Sequence, residues 1–110
     1  MTEEQLLDIF EQVKDAWGFM DKVEATVINA DDYYEIEDAG AITFFKEKWL
    51  EKFDVVFFNE VLLDMDLDFI LMVCYHELAH LITRKKDNDI EFYIFCKLNN
   101  IIMNDEWEEM

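Results

Sequence analysis

The chain has 110 residues, 27 acidic and 9 basic, and a formal net charge of −18. Its length suits one hydrophobic core, so residues 1–110 are expected to form a single domain. The charge excludes a module that neutralises nucleic-acid phosphate and disfavours docking on an anionic membrane, while a 53% hydrophobic and 15% aromatic composition excludes a disordered acidic tail.

Thr2 to Trp17 predicts a helix. Leu6, Ile9, Phe10, Val13 and Trp17 recur at helical spacing, Thr2 and Gln5 are placed as a capping box, and Gly18 is the stop. Val23 to Asn29 reads as a strand and Asp31-Asp32 as a turn. Tyr33 to Glu37 is ambiguous, a strand being one reading. Asp38-Ala39-Gly40 is a turn in which Gly40 is expected to take a positive φ, and Ala41 to Phe45 is a strand expected to pair with its predecessor. Lys46 to Lys52 reads as a helical turn or a loop. Phe53 to Asn59, β-branched and aromatic, is the strongest strand.

Asp64, Asp66 and Asp68 suit the positive end of a helix dipole. From about Asp66 to Arg84 the pattern is helical and apolar on most sides, which predicts a buried helix closed by the basic run Arg84-Lys85-Lys86. Asp87-Asn88-Asp89 is a break and a fresh cap, and a last helix is expected from Asp89 to about Asn104, before an acidic tail. The order of elements makes the fold α+β: an N-terminal helix, a small sheet of three or four strands, a buried helix and a C-terminal helix. The longest apolar run, Phe69 to Tyr75, is too short to cross a bilayer. Met1-Thr2-Glu3-Glu4 lacks the basic start of a signal peptide, so a cytoplasmic setting is expected, with Cys74 and Cys96 as free buried thiols.

Residues His76-Glu77-Leu78-Ala79-His80 form an H-E-x-x-H motif from the only two histidines in the chain. Residues four apart lie on one helix face, where two imidazoles can bind a single zinc ion. Glu77 is offset by about 100° of helix rotation, placed to take a proton from a zinc-activated water without being forced to ligate. A catalytic zinc wants a third protein ligand. With no third histidine, either a carboxylate supplies it or it is missing; the candidates just downstream are Asp87, Asp89 and Glu91, of which Asp89 is preferred. Cys74, about 200° round the helix from His76, points into the core. Phe92, Tyr93 and Phe95 read as core residues. Tyr33 and Tyr34 could supply an oxyanion donor, although nothing in their spacing supports it.

The stretch Cys74 to Ile82, with Asn88-Asp89-Ile90-Glu91-Phe92 after it, resembles the SprT-like zinc metallopeptidases, particularly their short phage versions. The resemblance spans about residues 53–95 and implies a minimal zincin-like domain. In that family a histidine of the second motif is the third zinc ligand. Asn88 stands at its place here, and asparagine is a poor zinc ligand. The resemblance also makes Phe53 to Asn59 the strand lining the cleft, along whose edge a peptide substrate would bind as an extra strand.

Two functions of different class follow, beside a third reading in which the metal is structural and stabilises a binding module without turnover. One is a small metallopeptidase that hydrolyses peptide bonds with zinc and Glu77 as general base, on a substrate that the −18 charge makes cationic. The other is an inactive acidic zincin-fold protein that mimics nucleic acid and binds and inhibits a basic protein partner, in the manner of phage-encoded inhibitors.

Overall fold

A computed structural model describes residues 1–46, 52–87 and 89–101. Helix α1 spans Glu3–Ala16 and starts as its capping box dictates: the Thr2 hydroxyl accepts from the Gln5 N–H at 3.1 Å, and the Gln5 side chain accepts from the Thr2 N–H at 2.9 Å. Leu6, Phe10 and Val13 are its buried stripe. The chain leaves α1 through Gly18, whose φ of +70° is one that L side chains rarely adopt.

Three strands form the sheet: β1 (Val23–Ile28), β2 (Ala41–Phe44) and β3 (Asp54–Asn59), in the spatial order β1-β3-β2. β3 runs parallel to β1 and antiparallel to β2. The fold is therefore α+β with a small mixed sheet. β2 pairs with the strand that follows it in sequence, not with its predecessor, because Tyr34–Ile36 is a 3-10 turn. A strand there would place Tyr34 and Ile36 on one face. The turn separates them, leaving Tyr34 exposed and Ile36 fully buried. The strand of residues 53–59 is central and both its edges are paired; among the described residues β2 carries a free edge instead. The segment 47–51 lies outside the described residues, and with it most of the expected turn or loop at Lys46 to Lys52.

Asp54, Val56 and Phe58 point from β3 toward the helices, where Phe58 meets Phe10 edge-to-face at 5.1 Å. On the opposite face Phe57 packs with Tyr33 and Phe44. Asn59 is a buried connector between β3 and the chain that leads into β2. Its side-chain amide donates to the carbonyls of Ile36 (2.8 Å) and Ala39 (3.0 Å), its Oδ1 accepts from the Val61 N–H (3.1 Å), and its own N–H donates to the Gly40 carbonyl (2.9 Å). Gly40 is needed for a reason other than the expected positive φ, which it does not adopt. A Cβ there would stand 3.3 Å from Val73, so its absence lets the start of β2 come close to the next helix.

That helix, α2, spans Leu67–Thr83 and is capped by Asp66, whose carboxylate accepts from the Phe69 N–H at 2.9 Å. It packs against α1, β2 and α3, the last spanning Ile90–Leu98, so it is buried on most sides. No helix among the described residues is long and apolar enough to cross a membrane. α3 stops before the expected Asn104. Asn100 turns left-handed with a φ of 57°, and the Ile101 N–H donates back to the Cys96 carbonyl at 2.9 Å. That stop is one that asparagine tolerates. Residues 102–110, with the acidic tail, lie outside the described residues. Tyr93, expected in the core, is on the exposed side of α3, whereas Phe92 is fully buried.

Cys74 and Cys96 are both buried, with no disulfide between them. Burial, with the Glu77 charge adding, pushes the Cys74 thiol up to about 12. Asn59→Leu leaves two carbonyls and one N–H without their partner, and each such group costs about 1 kcal/mol or more when buried. Denaturant unfolding should show a loss of about 3 kcal/mol, with faster amide exchange at residue 59; a loss under about 1 kcal/mol would refute the connector role.

Candidate metal centre

His76 and His80 lie one turn apart on α2, with ring centroids 4.9 Å apart, and both are buried. Where α2 ends, Arg84 takes the left-handed conformation with a φ of 59°, and its N–H donates to the His80 carbonyl at 2.8 Å. The chain then folds back over the histidines. The Lys85 carbonyl accepts from His80 Nδ1 at 2.7 Å, which turns His80 Nε2 inward. Asp87 follows, and its Oδ1 stands 2.9 Å from His76 Nε2 and 2.8 Å from His80 Nε2. Phe92 closes the far side: its ring stacks on His80 at 4.2 Å and 10° and meets His76 edge-on at 5.2 Å.

The reversal at Arg84 is held from the sheet. Its guanidinium donates to the buried Asp54 carboxylate and lies 4.7 Å over the Phe45 ring. The other Asp54 oxygen accepts from the Lys46 N–H at 2.7 Å. Arg84 therefore does more than complement a helix dipole: it ties the end of α2 to the start of β3 and the end of β2.

Glu77 is buried beside His76, and Thr43 of β2 donates its hydroxyl to Glu77 Oε2. Burial pushes the Glu77 carboxyl up; the His80 and His76 charges and the Thr43 hydrogen bond pull against it without reversing it. Hydrogen bonds from His76 and His80 hold the Asp87 carboxyl well below the usual carboxylate range. Burial acts to lower His80, but the bond to Asp87, the Glu77 charge and the Lys85 carbonyl outweigh it, so His80 is raised.

A cavity of about 360 Å³ lies between β2 and α2 and is lined by Thr43, His76, Glu77, His80, Lys86 and Asp87, among others. His76, His80 and Asp87 can hold a metal ion, since one ligand atom from each lies within 4.8 Å of the others. The donor set of two imidazole nitrogens and one carboxylate oxygen suits zinc. Tetrahedral bonds of about 2.0–2.2 Å set ligand atoms roughly 3.3–3.6 Å apart, so Asp87 Oδ1, nearer than that to both Nε2 atoms, has to draw back by about half an ångström. Its side chain is 55% exposed and has room to do so.

The carboxylate brought to the two histidines is Asp87 and not the preferred Asp89. Asp89 is engaged as the N-cap of α3, where its Oδ1 accepts from the Glu91 N–H at 2.9 Å. Glu91 is exposed and faces Lys85 at 3.8 Å. Asn88, at the family's histidine position, lies outside the described residues. Tyr33 donates its hydroxyl to Glu35 and Tyr34 is exposed, so neither is an oxyanion donor to this centre. Thr43 and Phe92 were not legible as site residues, because nothing in their spacing links them to the histidines.

Comparison of the chain with protein-family models, with curated proteins and with solved structures finds no match in any of the three.

Asp87→Ala should lower zinc affinity by at least about a hundredfold in calorimetric titration. Asp89→Ala should leave that affinity within a few-fold and instead cost about 1 kcal/mol of stability through loss of the cap. A larger loss of zinc binding from Asp89→Ala would reverse the assignment.

Proposed function

We propose that this chain is a small zinc-dependent, zincin-like peptide hydrolase in which His76, His80 and Asp87 hold the metal and Glu77 is the general base. The observation that carries the reading is the convergence of both Nε2 atoms on Asp87 Oδ1, with Glu77 lining the same cavity. Bound zinc supplies Lewis acidity, acidifying water and polarising the scissile carbonyl. Glu77 accepts the proton of the attacking water and returns it to the leaving amine. Its burial supports that role, because a carboxyl raised above its ordinary value is better matched to proton transfer near neutral pH. Phe92 and the buried face of α2 keep solvent from the imidazoles. β2, an edge strand among the described residues, flanks the cavity and offers backbone groups to an extended peptide. The −18 charge favours a cationic substrate reaching this surface.

The same charge supports a second reading, an inactive acidic protein that occupies a basic partner. The readings part at Glu77. For the hydrolase, zinc-loaded protein should cleave an unfolded protein substrate, and Glu77→Gln should lower kcat by at least about a hundredfold while zinc is retained. No cleavage by the zinc-loaded wild type, or equal cleavage by Glu77→Gln, would contradict it. Salt-sensitive binding to a basic protein that survives His76→Ala would favour the inhibitor.

A further inference from the structure

The bond between Thr43 and Glu77 crosses from the sheet to the helix that carries the candidate centre. Thr43 lies opposite Val56 in the β2–β3 register, and Val56 faces the helices, so Thr43 points at α2 as well. Its β-branched side chain has few rotamers, and a hydroxyl has one proton to give. That proton goes to Glu77 Oε2, the only side-chain hydrogen bond Glu77 makes among the described residues. β2 is a firm mount for it, since the strand is seated on α2 through Gly40 and its entry is held by Asn59.

Glu77 lines the same cavity as His76, His80 and Asp87. A buried carboxylate beside a divalent cation is drawn to it strongly, because little solvent screens the pair. As a fourth ligand, Glu77 would fill the position that a catalytic centre leaves open for water or substrate. A restraint on one carboxylate oxygen opposes that swing.

We propose that Thr43 is a positioning residue that holds Glu77 out of the coordination shell of the bound metal, so that Glu77 remains a base and the fourth position remains open. The assignment rests on the metal reading above and makes a spectroscopic claim that does not depend on turnover. It concerns a side chain on the strand beside the cleft, outside the H-E-x-x-H motif.

The test uses the full chain loaded with cobalt(II), whose visible d–d bands report the ligand set, and acetohydroxamate as a probe of the open position. Thr43→Val removes the donor at nearly constant volume, and Thr43→Ser keeps it. Thr43→Val should change the d–d spectrum and weaken acetohydroxamate roughly tenfold or more. Thr43→Ser should match the wild type, and Glu77→Gln added to Thr43→Val should restore the hydroxamate affinity. Should Thr43→Val not fold, Thr43→Ala removes the same donor and carries the same expectation. A spectrum and hydroxamate affinity unchanged in the valine or alanine variant, whatever happens to its Tm, would overturn the role of Thr43 alone. Failure of the wild type to take up cobalt at all would overturn the metal reading and this inference with it.

Discussion

Arg84 leaves α2 in the left-handed conformation, and the candidate centre is assembled by the three residues that follow. A non-glycine residue in that conformation costs about 1 kcal/mol. The cost is offset by the bond from its guanidinium to the buried Asp54 carboxylate and by its seat over Phe45. Had α2 simply continued, Asp87 would lie almost two turns beyond His80 and could not reach either imidazole. The reversal instead returns the Lys85 carbonyl to His80 Nδ1 and the Asp87 carboxylate to both Nε2 atoms. An interaction at the sheet therefore shapes a site on the helix.

The site also depends on where the two cores meet. The main core joins α1, the sheet and one side of α2; a smaller one, with Ala79, Phe92, Cys96 and Ile101, joins α2 to α3. His76 and His80 sit at the edge of the second, against the Phe92 ring. Two imidazoles and two carboxylates are crowded into partly dry surroundings. Asp87 is kept ionised by the histidines, while Glu77, deeper, is pushed toward its neutral form.

Much of this was legible from residue types alone. The capping box at Thr2 and Gln5, the apolar stripe of α1, the buried helix and the facing histidines all follow from local periodicity, and local periodicity survives folding. What was not legible depends on tertiary contacts. Gly40 resembles a turn glycine in sequence, but its need comes from Val73, 33 positions away. The pairing of β2 with β3 depends on the Tyr34–Ile36 turn, which burial of Ile36 favours over a strand. Asp87 and Asp89 are indistinguishable as candidate ligands until one is seen to cap α3 and the other to face the histidines. The charge first excluded nucleic acid; set beside the fold, it contrasts with the basic run Arg84-Lys85-Lys86 at the reversal, where Arg84 is engaged with Asp54 and Lys86 lines the cavity.

X-ray absorption at the zinc edge of the zinc-loaded protein bears on the central claim most directly. The account predicts one zinc per chain, with two imidazole nitrogens and carboxylate oxygen at about 2.0–2.2 Å, and loss of that carboxylate contribution in Asp87→Ala. A zinc spectrum lacking imidazole scattering, or one unchanged by Asp87→Ala, would contradict it.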